Sequence, residues 1–91
     1  MFISRPHFLI NVITKPEVAK HLIPNIKMFE IMYFTQQQVN GGKSLSEESE
    51  VVKIQLLCRR EDLSKIFEYL KEHYIMGYSA VCCYEEVNVP I

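Results

Sequence analysis

The stretch Val51–Tyr74, with the sequence VVKIQLLCRREDLSKIFEYLKEHY, encodes a strand followed by a helix and decides the fold class. Within Val51–Cys58, apolar side chains occupy every second position, which is the period of a strand with one buried face. Apolar residues then recur at the i, i+3, i+4 and i+7 spacing of an amphipathic helix, at Leu63, Ile66, Phe67, Leu70 and Tyr74. This strand–helix unit forms the second half of a longer pattern.

A similar unit comes earlier in the chain. His7–Ile13 (HFLINVI) is apolar at both odd and even positions apart from one polar residue, as in a central strand that is covered on both faces. Thr14 or Lys15 then provides a candidate helix cap, and Pro16 stands at the first helical position. We predict a first helix that Pro24 kinks or ends.

Two more strands complete the pattern. Glu30–Val39 (EIMYFTQQQV) predicts the second strand, and Tyr78–Val87 (YSAVCCYEEV) predicts the fourth strand, followed by a short tail at Asn88–Ile91. The order strand, helix, strand, strand, helix, strand predicts one α+β domain over residues 1–91, of the ferredoxin-like βαββαβ type. We expect a four-stranded antiparallel sheet with two helices on one face.

The charge balance argues against nucleic acid as a partner. The formal net charge is −1, and Arg59–Arg60 is the one adjacent basic pair, whereas a nucleic-acid surface needs clustered Lys and Arg. We recognise no signal peptide, and the apolar runs are too short to span a bilayer. With three cysteines and no CxxC pair, the sequence predicts a reduced, cytoplasmic protein.

The cysteines do not form a recognisable metal or redox motif. Cys82 and Cys83 are adjacent on a predicted strand, so their side chains point to opposite faces. Cys58 is expected about 10 Å from Cys82, twice the strand spacing, which is too far for a disulfide. No nucleophile, acid–base pair or set of four metal ligands stands out. We therefore predict buried free thiols, no metal site within one chain, no catalytic residues and no enzymatic activity.

The most informative short motif is Asn40–Lys43 (NGGK), between the second and third predicted strands. It is typical of a hairpin turn with a bulge. The alternative is a ligand-binding loop base, in which Gly41 and Gly42 let the backbone approach a phosphate or adopt a positive φ, and Lys43 pairs with an anion. The polar, acidic run Ser44–Glu50 that follows predicts a mobile loop.

Several stretches together resemble the PII-like family of signalling proteins. They are FLINVITKP (8–16), YFTQQQVNGGK (33–43), SLSEESEVVKIQLLC (44–58), LSKIFEYLKEHY (63–74) and GYSAVCCYEEV (77–87). The resemblance implies a small ferredoxin-like trimer, in which the loop between strands two and three contacts a partner. It also implies that small effectors, often adenine nucleotides, bind in the clefts between subunits. Gly41, Gly42 and Lys43 match the loop base, and Ser44–Glu50 matches a shortened loop.

The short loop is most similar to the branch of that family that is associated with heavy-metal efflux systems. Long-loop members carry a modifiable tyrosine in this loop, and the present chain has no counterpart. They also carry a glycine-rich basic segment that holds phosphates, where this chain has His73–Gly77, with one glycine and no Lys or Arg. The effector therefore stays open between a nucleotide and a metal ion.

The sheet face that the helices leave open predicts self-association, because an uncovered apolar face of that size would aggregate. We expect a homotrimer. The predicted function is that of a non-enzymatic regulator, in which a small effector in an inter-subunit cleft orders the 41–50 loop and changes its affinity for a partner such as a membrane transporter. The alternative is direct divalent-metal binding by a trimer of the CutA-like type, with ligands from several subunits. A related ferredoxin-like module, such as an ACT-type dimer, also stays open.

Overall fold

The computed structural model describes residues 4–41, 46, 48–75 and 80–90. Its elements follow the predicted order. They are β1 (Ser4–Thr14), α1 (Pro16–Ile26), β2 (Tyr33–Gly41), β3 (Ser49–Arg59), α2 (Arg60–Leu70) and β4 (Ala80–Pro90), with a single π-helical turn (Lys71–Ile75) directly after α2.

The four strands form one antiparallel sheet in the order β2-β3-β1-β4. β1 is central, with β3 and β4 on its two sides, as the predicted ferredoxin-like topology requires. The α+β fold class that the sequence predicts is confirmed. Among the described residues, no helix has the length and apolar content needed to cross a membrane.

Both helices pack on one face of this sheet, which we call the helix-covered face. There β1 contributes Ile10 and Val12, and β3 contributes Ile54 and Leu56, all of which are completely buried. From the helices, Leu22 of α1 and Ile66 and Leu70 of α2 complete the same cluster at 1% exposure or less. Because side chains alternate between faces along a strand, the odd-numbered residues of β1 and β3 lie on the opposite face, the open face.

The first helix is more regular than predicted. Lys15, not Thr14, is its N-terminal cap residue, and the Lys15 carbonyl accepts the backbone N–H groups of Val18 and Ala19. Pro24 lies inside α1, which ends two residues later at Ile26. Pro24 therefore stands close to the end of the helix, as expected, without breaking its last turn.

The predicted start of the second strand was wrong by three residues. Glu30–Met32 approach the sheet without pairing along it. The Glu30 carboxylate forms an ion pair with Arg59 Nη2 at 3.2 Å. The chain first contacts β3 at Met32, whose N–H donates to the Leu57 carbonyl at 2.9 Å. At its other end, β2 continues through Asn40 to Gly41, which the sequence placed in a turn.

The sequence also predicted β1 and β4 to be shorter at their outer ends than they are. The predicted tail after Val87 is strand through Pro90, because Asn88–Pro90 pair with Ser4–Pro6 of β1. Tyr78 and Ile91 lie outside the described residues. This pairing makes a two-stranded ribbon that extends beyond the last β1–β3 pair, His7 with Arg59.

The second helix carries the predicted apolar stripe, and a π turn ends it. After Leu70 the helix widens over Lys71–Ile75, and Tyr74 within this turn is 8% exposed. The Asn25 amide Nδ2 donates to the Tyr74 hydroxyl at 3.2 Å, which ties the end of α1 to the π turn. A π turn is rare and often accompanies a functional position, but here its visible effect is to keep Tyr74 in the core.

Candidate functional site

The predicted loop base lies at the tip of a projecting hairpin. β3 leaves β1 at the pair Thr14–Val52, whereas the β2–β3 ladder continues for three more pairs, to Gly41 with Ser49. We call these three pairs, 39–41 with 49–51, the hairpin arm. Asn40, Ser49 and Glu50 are exposed, and the Ser49 hydroxyl donates to the Gly41 carbonyl at 3.5 Å. The arm therefore offers its backbone and polar side chains to a neighbouring molecule.

Gly41 is the one predicted site residue that the structure describes, and it differs from the predicted turn glycine. It ends a strand, and its φ is not in the left-handed region, so its position does not require glycine. A Cβ there would lie 3.6 Å from Cγ2 of Val51, an ordinary contact. Gly42 and Lys43, the other two residues of the predicted loop base, lie outside the described residues, as do Ser44, Leu45 and Glu47 of the predicted loop.

A row of hydrogen-bonded polar side chains crosses the open face. Thr35 Oγ1 donates to Gln55 Oε1 at 3.4 Å, and Gln55 Nε2 donates to Asn11 Oδ1 at 2.9 Å. We call these three residues, one each from β2, β3 and β1, the polar ladder. It lies between two apolar pairs, Leu9 with Leu57 and Ile13 with Val81, the last two 42% and 67% exposed. Charged residues share the rows of these pairs, because Leu9 also pairs with Glu85 and Ile13 also pairs with Lys53. The open face therefore carries both polar and apolar side chains, whereas the sequence predicted an apolar face.

Arg59 is the charged centre at the other end of the open face. Its Nε lies 3.1 Å from Asp62 Oδ2 and 3.5 Å from Glu61 Oε1, and its Nη2 reaches Glu30. The hydrogen bond that Arg59 donates to Asp62, followed by the negative charges around it, raises the pKa of Arg59 above its ordinary value. Arg59, one of the two residues of the predicted basic pair, thus interacts with three carboxylates of its own chain.

The three cysteines differ in exposure. Cys58 is buried, Cys82 is half-buried on the helix-covered face and Cys83 is exposed on the open face, so the prediction of buried thiols was right for Cys58 and wrong for Cys83. Burial raises the pKa of Cys58 to about 11 and that of Cys82 to about 12. These two thiols are protonated at neutral pH and are therefore weak metal ligands and nucleophiles.

The distance between Cys58 and Cys82 is larger than predicted. Cys58 pairs with Phe8 and Cys82 pairs with Val12, on opposite sides of β1. The offset of four residues along β1, about 13 Å, is perpendicular to the two strand spacings of about 10 Å, so the two Cα atoms are about 16 Å apart. Within the described residues, no group of three or more His, Cys, Asp or Glu side chains is placed to hold a metal ion.

An apolar cavity of about 410 Å³ opens at the start of β2, and the sequence did not reveal it. α1 contributes Ile23 and Ile26, and β3 contributes Leu56. The remaining lining residues come from the α1–β2 connection and the first two residues of β2: Lys27, Phe29, Ile31, Met32, Tyr33 and Phe34. We call this cavity the edge pocket. Predicting this pocket would require knowing that residues 30–32 stay out of the strand, which the sequence does not show.

The edge pocket and the loop base lie at opposite ends of the same strand. Tyr33 begins β2 beside the pocket, and Gly41 ends it in the hairpin arm. Eight residues of extended strand separate them by about 27 Å. They are therefore two separate sites.

Solved structures with the same fold are PII-like signalling proteins. A PII-like protein from Thermus thermophilus shares 20% identity and a TM-score of 0.77, over 94% of this chain and 91% of that chain. CPII from Thiomonas intermedia, a nitrogen regulatory PII-like protein bound to ADP, AMP and bicarbonate, shares 12% identity and a TM-score of 0.82, over 96% of both chains. GlnK of B. subtilis, in complex with ATP, shares 18% identity and a TM-score of 0.71, over 93% of this chain and 84% of that chain.

At the level of sequence, no protein-family model matches the chain, and no curated protein matches it significantly. The identities to the solved structures are 20% or lower, so the likeness concerns the fold. The chain thus has the fold of the PII-like signalling proteins that its motifs resemble.

Proposed function

We propose that the chain is a non-enzymatic regulatory protein of the PII-like type, which forms a homotrimer in the cytoplasm. A small effector, either a nucleotide or a metal ion, binds in the clefts between subunits against the loop base at Gly41, Gly42 and Lys43. The bound effector favours one conformation of the 41–50 loop, and that conformation binds a partner such as a membrane transporter. A ligand shifts such an equilibrium only by its difference in affinity for the two loop states.

The observation that carries this proposal is the likeness to CPII, which extends over 96% of both chains and is to a protein bound to ADP, AMP and bicarbonate. GlnK, with bound ATP, supports it with the same fold over 93% of this chain. Ligands of this class place phosphates near the backbone and near cations. In the present chain, the proposed loop base has two glycines, Gly41 and Gly42, for the backbone approach and Lys43 as the cation.

The hairpin arm supports the signalling step of the proposal. It extends beyond β1, and its polar groups Asn40, Ser49 and Glu50 are exposed. A loop carried on such an arm can reach a partner while its base stays part of the sheet. The rigid ladder from Val39–Val51 to Gly41–Ser49 would then transmit a change at the base to the loop.

The open face supports the trimer. Leu9 and Leu57 are half-buried there in the single chain, and Ile13 and Val81 are more than 40% exposed. Exposed apolar residues that share one sheet face favour a surface that is covered in an assembly. Subunits packed on this face would bring the hairpin arm of one chain close to its neighbours, where inter-subunit clefts form.

The shortness of the loop favours the branch associated with heavy-metal efflux systems, and with it a metal-transporting partner. Direct metal binding of the CutA-like type has less support. The buried thiols Cys58 and Cys82 are protonated at neutral pH, and within the described residues no metal-binding group forms in one chain. Such a site would have to combine ligands from several subunits.

A thermal-unfolding panel tests the proposal. The reduced protein is heated with ATP, ADP, AMP and bicarbonate, and separately with zinc, copper, nickel and cobalt. A ligand at 100 times its dissociation constant adds about 2.7 kcal/mol, which raises Tm by about 10–20 °C for a domain of this length. We expect such a rise with one of the two ligand groups. No rise with any of them would contradict the proposal of a small effector.

A matched pair of variants locates the effect. Lys43→Gln removes the proposed loop-base cation, and Lys65→Gln makes the same change on the exposed surface of α2. We expect Lys43→Gln alone to reduce the ligand-dependent rise in Tm. Limited proteolysis then tests the switch, because a saturating ligand should slow cleavage between residues 41 and 50. Equal cleavage with and without the ligand would contradict the switch.

A further inference from the structure

The edge pocket is a second concave site, about 27 Å along β2 from the loop base. Its volume of about 410 Å³ lies within the range of small-molecule sites, which is roughly 300–1,000 Å³. The floor is fully apolar, since Leu56 and Ile26 are 0% and 4% exposed. A ligand that enters it therefore exchanges water for hydrocarbon contacts.

The rim of the pocket concentrates exposed apolar side chains. Met32, Tyr33 and Phe34, which all line the pocket, are 50%, 67% and 47% exposed. Phe34 pairs with Leu56 on the helix-covered face, whereas Tyr33 pairs with Leu57 on the open face, so exposed apolar groups lie on both sides of the pocket mouth. Met32 also brings a flexible thioether that adapts to differently shaped ligands.

Hydrogen bonds and ring contacts hold the walls in place without a ligand. The Phe29 N–H donates to the Ile26 carbonyl at 3.1 Å, and the Phe29 ring packs edge-on against Tyr69, with centroids 5.3 Å apart. On the opposite wall, the Met32 N–H donates to the Leu57 carbonyl. The pocket is thus preformed, and binding does not have to order its walls.

One cation defines the polar side of the pocket. Of the described residues that line it, Lys27 alone is charged, and no ion pair engages its ammonium within the described part of the chain. The nearby carboxylate of Glu30 is already bound by Arg59. Lys27 follows the C-terminus of α1, whose dipole contributes about half a negative charge, less than the full positive charge of the ammonium.

From these contacts we propose that the edge pocket binds a small amphipathic anion, with an aliphatic body and one carboxylate. The aliphatic body lies against Leu56, Ile26 and Phe29, and the carboxylate pairs with the Lys27 ammonium at the rim. Medium-chain carboxylates have this combination of one charge and a flexible apolar chain. The site is independent of the proposed effector cleft, because it uses no residue of the 41–50 loop.

Decanoate and decanol are suitable probes, because they share the chain and differ in charge. Isothermal titration calorimetry of the full-length, reduced protein gives both affinities below the micelle-forming concentration of decanoate. Amide NMR spectra then show whether the perturbed residues are those between Ile23 and Phe34. We expect decanoate to bind more tightly than decanol and to shift resonances in that segment.

Two pairs of variants separate the charge from the cavity. Lys27→Gln removes the ammonium, and Lys20→Gln makes the same change elsewhere on exposed α1. We expect Lys27→Gln to weaken decanoate by about two- to fivefold, the range for a partly exposed ion pair, and to leave decanol unchanged. Met32→Trp fills the rim and should abolish binding of both probes, whereas Met28→Trp, at an exposed position outside the pocket lining, should not.

Each result of these experiments either supports or overturns the proposal. Loss of decanoate affinity in Lys27→Gln but not in Lys20→Gln supports the proposal. Equal binding of decanol and decanoate, or equal effects of the two lysine variants, overturns the anionic class. Shifted resonances outside residues 23–34 overturn the site. If Met32→Trp changes the oligomeric state, the pocket is occupied by a second copy of the chain, which also overturns the proposal.

Discussion

Leu56 and Leu57 are neighbours in β3, yet they belong to two surfaces with different chemistry. Leu56 is completely buried beneath the helices, together with Ile10 and Ile54. Leu57 lies half-buried on the open face, next to the polar ladder. The first surface is closed within one chain, whereas the second keeps its apolar residues partly in water. The comparison indicates that the helix-covered face determines the fold, whereas the proposed function depends on the open face and the hairpin arm.

The largest expected effect comes from truncating each leucine in turn. Leu56→Ala removes a completely buried side chain and should lower the free energy of unfolding by about 2–5 kcal/mol. Leu57→Ala removes a side chain that is already half-hydrated, so in a dilute, dissociated chain it should cost about 1 kcal/mol. Urea unfolding measures both losses.

Protein concentration sharpens this test. If subunits cover the open face, the loss from Leu57→Ala grows at concentrations where the chain assembles, because association contributes to stability. A difference between the two variants that is the same at all concentrations would contradict the assignment of the open face to self-association.

The next effect concerns Arg59 and Arg60, adjacent residues with different surroundings. Arg59→Met removes the guanidinium beside Asp62, whose largely buried carboxylate then loses its hydrogen-bond donor, so the free energy of unfolding should fall. Arg60→Met removes an exposed cation and should change stability by less than about 0.5 kcal/mol. Urea unfolding at neutral pH gives both values. Equal effects would show that the Arg59 ion pairs do not stabilise the fold.

Cys82 and Cys83 extend the comparison to alkaline pH. Burial raises the folded-state pKa of Cys82 to about 12, above the unfolded thiol value of about 9, so the folded state holds this proton more tightly. Its stabilising contribution is complete below pH 9 and is lost as pH rises from there toward 12. Cys82→Ala should therefore reduce the fall in unfolding free energy above pH 9.

Alkylation by iodoacetamide provides a second measurement of the same pair. Cys83 is exposed, whereas Cys82 and Cys58 are protonated and at least partly buried. Mass spectrometry should show Cys83 modified first at neutral pH. Faster modification of Cys82 would contradict its position on the helix-covered face.

The smallest expected effect is at Gly41. The backbone there is extended, and a Cβ would make an ordinary contact with Val51. Gly41→Ala should therefore change the unfolding free energy by no more than about 0.5 kcal/mol. A loss of several kcal/mol would show that the end of the hairpin arm differs from a regular strand. Because folding is preserved, the variant also shows whether an effector needs close backbone approach at this position.

Periodicity predicted the fold because the apolar residues that recur at regular spacing are those that pack on the helix-covered face. The alternation in Val51–Cys58 appears in the structure as buried residues at every second position. Of the stripe from Leu63 to Tyr74, Ile66, Leu70 and Tyr74 are buried and the other two residues are partly buried against them. Strand ends were less predictable, since they depend on partners distant in sequence. β4 extends to Pro90 through its pairing with Ser4, and β2 begins only where Met32 reaches Leu57.

The candidate sites were only partly predictable for the same reason. The loop base was found from the glycines and lysine at 41–43, a local signal. The polar ladder was not, although Asn11 is the one polar residue that interrupts the apolar run after His7, because only the sheet register brings it to Gln55 and Thr35. The edge pocket required the path of residues 30–32, which no local pattern indicates.

The most direct test of the account is sedimentation of the reduced protein over a range of micromolar concentrations. If the open face is the self-association surface of a PII-like regulator, the protein sediments as a trimer, at about three times the chain mass of 10.7 kDa. A particle that stays at 10.7 kDa throughout this range would contradict the trimer, and with it the inter-subunit cleft on which the proposed function depends.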